Sequence, residues 1–219
     1  MRKNLKAGRS NLSVITFLLM VCIVLPVYGY QSKLARFLEN HDEPRASAVF
    51  APRVHRAAAV ITYLTLGLRF FHQGQLEGWK KRISPHLIRS PKESTDKEIR
   101  DFYEHLLAIL RKPILKSGEW QWLPCQPAWE GNESWDSFIA HSWRGSGGER
   151  MLIAVNYAPH PSQCYLNLPF PEIKNRSVRL KDSLSSACYT REGNELLERG
   201  LYLDLQPWSY HVFDLEINP

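Results

Sequence analysis

The side chains best suited to chemistry cluster at Glu39, Asn40, His41, Asp42 and Glu43. They follow an apolar run at 34–38 and are closed off by Pro44, which cannot donate to a strand ladder. Such a change of character marks a buried strand that delivers polar side chains into a cleft at its C-terminal end. Two carboxyl groups facing a bond from opposite sides could cleave it. Asp42 with Glu39 or Glu43 is poorly placed for this, because neighbours on one loop do not readily flank a bond. Taken locally, His41 and Asp42 read as a hydrogen-bonded pair within a loop. The remaining histidines, at 55, 72, 86, 105, 141, 160 and 211, form no ligand-like spacing, and they read as structural or solvent-facing.

The elements that must hold this cluster follow directly. Residues 34–38 form a short strand, 39–53 a loop, 54–66 a helix rich in Ala and Leu, and 68–71 a second strand. Gly67 is placed to cap the helix in the left-handed conformation. Strand, helix and strand make the repeating unit of a parallel sheet. The loop His72-Gln-Gly-Gln-Leu-Glu-Gly78 then leaves the C-terminal end of the second strand, with Gly74 and Gly78 free to take tight or positive-φ turns. Gln75 and Glu77 read equally well as parts of a plain connector.

Residues 79–94 are basic and interrupted by prolines, the pattern of a solvated loop. Thr95 with Glu98 forms a capping box. Ile99, Phe102, Tyr103, Leu106, Leu107 and Leu110 then line one face of an amphipathic helix that stops before Pro113. Its stripe is expected to pack on the outside of the parallel sheet. After Gly118 the period becomes that of strands. Residues 137–143 and 151–157 flank a Gly-Ser-Gly-Gly hairpin turn at 145–148. Further strands are expected at 163–168, 177–181, 201–205 and 210–215, with a turn at Pro207-Trp208.

The chain has 219 residues and an ordinary 44% of apolar residues, which argues against disorder. Its net charge is +6, but Arg2, Lys3, Lys6 and Arg9 lie in a leader without acids, so the remainder carries only +2. That gives no reason to expect nucleic acid. The seven Trp and nine Tyr read mainly as core and sheet packing. Cys22, Cys125, Cys164 and Cys188 show neither CxxC nor zinc spacing and read as buried or free thiols. Asn11, Asn132 and Asn175 open glycosylation sequons, which arise often by chance. In the leader, residues 1–30, an apolar run at 14–27 is too short for a membrane span of ~20 residues. A basic flank, a short apolar core and Gly29 fit a secretory signal peptide. A lost or misassigned front half of a gene fits equally well. The first reading places the protein outside the cytoplasm or on a membrane, the second inside it.

The Asn40-His41-Asp42 triplet resembles the last motif of the α-amylase family, glycoside hydrolase family 13. The likeness continues through residues 55–64, the segment 66–78 with its Gln-Gly-x-x-x-Gly loop, and the terminal segment 201–215. It covers roughly 31–219 in unbroken order. It implies a leader at 1–30, the last units of a (β/α)8 barrel at 31–117 and a trailing antiparallel β-sandwich at 118–219. The implied fold class is α/β plus all-β. By resemblance, Asp42 is the carboxylate that grips sugar hydroxyls beside the scissile bond, His41 bonds the same sugar, and Asn40 completes the substrate site. The implied ligand is an α-glucan or oligosaccharide, and no metal, nicotinamide or nucleotide is implied. Retaining hydrolysis needs a nucleophile and an acid/base, and in the family both precede this motif. Residues 1–30 contain no Asp or Glu, so the chain is expected to be inactive alone. The alternatives are a non-catalytic carbohydrate-binding or docking protein using the sandwich, with exposed Trp129 or Trp135 against the glucan, or half of a split glycosidase whose other chain supplies the missing strands. Two parallel strands cannot close a barrel, and their edges need covering.

Overall fold

In the computed structural model, residues 28–84, 86, 89 and 91–218 are described. The leader reading, including Cys22, falls almost wholly outside them. A short helix, α1 (Tyr28–Gln31), leads into strand β1 (Ala35–Arg36). After the polar loop come α2 (Ala46–Val49) and α3 (Pro52–Leu64). Strand β2 (Leu68–Arg69) then pairs parallel with β1, Ala35 opposite Leu68. Strand, helix, strand is thus present, but both strands are shorter than the apolar runs suggest. Beyond the two paired residues on each strand, nothing among the described residues continues the ladder.

Helix α3 begins with Pro at its first position, where no N–H is needed. Its last carbonyls, which lack intrahelical partners, are met by side chains from three strands. Arg69 donates to the oxygens of Tyr63 (2.7 Å) and Thr65 (3.2 Å), and Arg36 to that of Leu66 (2.8 Å). The Leu64 carbonyl accepts from His141 Nε2 (3.0 Å) and Trp143 Nε1 (2.7 Å). Two guanidinium groups at this end also suit the negative pole of the helix. Gly67 does not act as the left-handed cap. Thr65 is the C-cap, and Gly67, at φ +118°, lies where a Cβ would come within 2.4 Å of the Leu34 carbonyl. Its role is to let the approach to β2 pass close to β1.

The amphipathic helix is α4 (Lys97–Leu110). Its N-cap is Asp96, one residue beyond the expected Thr95. The Asp96 backbone N–H is held by the Glu77 carbonyl (2.9 Å), and its side chain accepts from Ile99 N (3.2 Å). Helix α5 (Ile114–Ser117) follows. The β region contains β3 (Glu119–Leu123), β4 (Cys125–Gln126), β5 (Phe138–Arg144), β6 (Arg150–Asn156), β7 (Ser162–Leu166), β8 (Ser177–Asp182), β9 (Cys188–Glu192), β10 (Leu201–Leu205) and β11 (Tyr210–Asn218), with α6 (Gly193–Glu198) between β9 and β10. Six strands form one antiparallel sheet in the order β3-β5-β6-β11-β8-β9, and three form another, β10-β7-β4.

In the six-stranded sheet, β5 and β6 are buried on both faces. Ile139, Trp143, Met151, Ile153, Val155 and Val212 share a core with α3 and α4. Alternate residues, including Phe138, Ala140, Leu152, Ala154, Phe213 and Leu215, pack against the three-stranded sheet. The stripe of α4 therefore packs against α3 and the antiparallel sheet, not against the outside of a parallel one. Its apolar face finds the larger buried surface there, with Phe102 6.4 Å from Tyr210 ring to ring. Cys125 and Cys164 are buried thiols and Cys188 is an exposed one.

Candidate functional site

The loop after β1 is built around a buried ion pair. Glu39 and Arg45 are 0% and 3% exposed, and Arg45 Nη1 lies 2.6 Å from Glu39 Oε1. The other Glu39 oxygen accepts from the backbone N–H of Ala46 (2.6 Å), which fixes the start of α2. Arg45 also donates to the carbonyls of Gln73 (2.7 Å) and Lys81 (3.2 Å) and lies 2.9 Å from His72 Nδ1. One guanidinium thus ties together the loops that follow β1 and β2.

Between Glu39 and Arg45 the chain loops outward. The Asn40 side-chain oxygen accepts from the backbone N–H groups of Asp42 (2.8 Å) and Glu43 (3.0 Å), a local turn that asparagine stabilises well. This turn lifts His41 and Asp42 into solvent. Their side chains are 59% and 73% exposed, with His41 Nε2 3.3 Å from Asp42 Oδ2. Arg82 Nε donates to the His41 carbonyl (3.2 Å). An open depression of about 610 Å³ is lined by His41, Asp42, Arg82, Ser84 and His86. Asp42 is its one carboxylate among the described residues. Glu39 points inward and is committed to Arg45, so it offers no second carboxylate to this surface.

The loop after β2 is held from beneath. Gln75, for which a plain connector is at least as good a reading of the sequence as a place beside the substrate cleft, is 1% exposed. Its amide donates to the hydroxyls of Tyr63 (2.7 Å) and Tyr103 (2.8 Å). The Tyr103 hydroxyl meets His55 Nε2 at 2.8 Å. Burial lowers the His55 pKa to about 4, so its ring is neutral and Nε2 can accept the tyrosine proton. Burial raises both tyrosines far above their ordinary value, which keeps their hydroxyls protonated. Gly74 and Gly78 take the expected positive φ values, +87° and +71°. At Gly74 a Cβ would sit 2.2 Å from the Trp79 ring. Glu77 pairs with Arg100 at 2.9 Å. No sequence signal pointed to Gln75 as an anchor, since its partners are twelve and twenty-eight residues away.

The face of β1 and β2 turned away from α3 carries Phe37, Leu68 and Phe70, which are 37%, 68% and 41% exposed. Phe37 and Phe70 meet edge to face at 6.3 Å. Nothing among the described residues covers this apolar surface. In the β region, Trp129 is 53% exposed, whereas Trp135 packs against the core.

No protein-family model matches the sequence, and no curated protein matches it. Solved structures do. A maltogenic α-amylase from Thermotoga neapolitana superposes with a TM-score of 0.64 at 20% identity, covering 91% of this chain and 44% of that one. The α-amylase of Geobacillus thermoleovorans, solved with acarbose, gives 0.64 at 20% identity over 87% of this chain and 42% of its own. A cyclic α-maltosyl-(1→6)-maltose hydrolase from Arthrobacter globiformis gives 0.51 at 14% identity, covering 93% of this chain and 38% of its own. The chain spans less than half the length of each. At such identities the likeness speaks for architecture, and the architecture is that of the C-terminal region of an α-amylase: a barrel remnant that does not close, followed by an antiparallel β-sandwich.

Proposed function

We propose that this chain is the C-terminal portion of a family 13 glycoside hydrolase directed at α-glucans, with 31–117 as the last barrel units and 118–219 as the trailing sandwich. In this reading His41 and Asp42 form one wall of a sugar-binding cleft, and Asn40 presents them. The observation that supports it is the strand-end loop. A buried Glu39–Arg45 pair and an asparagine turn hold an exposed imidazole and carboxylate at the C-terminal end of β1. The C-terminal ends of strands are where sites form in barrel enzymes. The neighbouring fold is that of α-amylases, one of them solved with acarbose.

Asp42 alone cannot carry out retaining hydrolysis, which needs a nucleophile and a proton donor on either side of the bond. The chain is therefore a holder of sugar that waits for reactive carboxylates from strands paired to β1 and β2, which would also cover Phe37, Leu68 and Phe70. Purified chain should show no turnover of starch or maltoheptaose. It should bind maltoheptaose weakly, and Asp42→Asn should reduce that binding about tenfold or more by removing a charge-assisted hydrogen bond. Turnover abolished by Asp42→Ala would overturn the inactive reading.

A second reading, carbohydrate binding through the sandwich alone, is favoured by the exposure of Trp129. It expects Trp129→Ala, not Asp42→Asn, to remove maltoheptaose affinity.

A further inference from the structure

Cys125 and Cys164 occupy neighbouring strands of the three-stranded sheet and point to the same side of it. The register sets Cys125 opposite Leu166 and Gln126 opposite Tyr165. Cys164 is therefore the diagonal neighbour of Cys125 on the inward face, two residues along β7. Both are buried, at 8% and 0% exposure, in the core between the two sheets. The hydrogen bond with the Cys125 thiol, and then burial, raise the Cys164 thiol far above its ordinary value.

Diagonal neighbours in a sheet stand about 7–8 Å apart, a little beyond the ~4.4–6.8 Å between Cα atoms that a disulfide spans. Strand β4 can close that gap. It has two residues, lies at the sheet edge, and is bounded by Pro124 and Pro127. The register carries Pro127 opposite Cys164, where it has no N–H to give to the ladder. At the point where β4 would have to move, its Pro127 holds no ladder hydrogen bond through its own nitrogen.

We propose that Cys125 and Cys164 form a reversible intrachain disulfide that staples β4 to β7. The oxidant is a small-molecule disulfide of the glutathione type. The thiolate of the more exposed Cys125 attacks one sulfur of the oxidant and releases one thiol, leaving a mixed disulfide. The Cys164 thiolate then attacks the Cys125 sulfur and releases the second thiol. Two protein thiols and one oxidant disulfide become one protein disulfide and two small thiols, with both electrons passed to the oxidant. The high proton affinity of Cys164 makes the second step slow in the folded state, so the bond forms most readily while β4 is open or during folding. The displacement that β4 must make leaves the bond strained and readily reduced.

The test is to refold the full chain from denaturant with reduced and oxidised glutathione, alkylate free thiols, digest with trypsin and map the cross-links. Cys125, Cys164 and Cys188 fall in separate tryptic peptides, 117–144, 151–174 and 182–191. The expected product is 117–144 joined to 151–174, lost on adding dithiothreitol, and unchanged in Cys188→Ser. Its thermal midpoint should exceed that of the reduced chain by roughly 5 °C or more. Complete alkylation of both cysteines after oxidative refolding would overturn the proposal, as would a cross-link that uses Cys22 or Cys188 instead.

Discussion

Removing the Arg45 side chain strands the Glu39 carboxylate where water does not reach it, and releases the carbonyls of Gln73 and Lys81. Breaking a buried ion pair from one side costs about 3–5 kcal/mol. For a chain of this size Arg45→Ala should lower the thermal midpoint by about 10 °C, measurable by circular dichroism. Asp42→Ala, on an exposed side chain, should shift stability by no more than about 0.5 kcal/mol. The contrast separates holding the loop from using it. A second consequence at this scale concerns pH. Burial lowers the pKa of His55 and of His141 from 6.5 to about 4. Between these values the unfolded chain binds protons that the folded chain refuses. Stability is therefore complete above pH 6.5 and falls as pH drops toward 4, by up to about 3 kcal/mol for each histidine. The lowered pKa of Asp182, which is hydrogen-bonded to His211 and Leu184 N–H, continues the loss at lower pH. Urea midpoints measured from pH 7.5 to 4 should fall accordingly, and His55→Gln should flatten part of that slope.

Among the elements, α3 receives donors from β1, β2 and β5 at one end, so the parallel pair and the antiparallel sheet are joined through a helix terminus. Residues 118–219 expressed alone would expose Ile139, Trp143, Met151, Ile153, Val155 and Val212, all buried here under α3 and α4. That fragment should bind a hydrophobic dye and melt well below the full chain; a cooperative transition at the full-chain midpoint would contradict the shared core. Helix α4 and strands β8 and β10 were legible because one face of each is apolar with the right period, and β5 and β6 because two apolar runs flank a glycine-rich turn. Strand β9 was not, since all five of its residues are exposed and no apolar alternation marks it. The shift of the α4 cap from Thr95 to Asp96 depends on a backbone bond to Glu77, which no local pattern encodes. In the candidate site the exposed triplet could be read directly. Its supports could not, because Arg45 reaches residues 27 to 36 positions away.

At the scale of the molecule, three layers share one central sheet: helices, six strands, then three strands. Each strand in the middle has to satisfy unlike neighbours on its two sides. Ala140 and Ala154 stand opposite each other in the register of β5 and β6 and are both fully buried. A larger side chain at either would drive the two sheets apart and cost about 1–3 kcal/mol. In a saturation library selected for solubility, these two positions should tolerate little beyond glycine and serine, whereas exposed Tyr202 should accept most residues. The gap between the sheets is thus gauged by the smallest side chains in it, and sequence drift in this protein is throttled first at a pair of methyl groups.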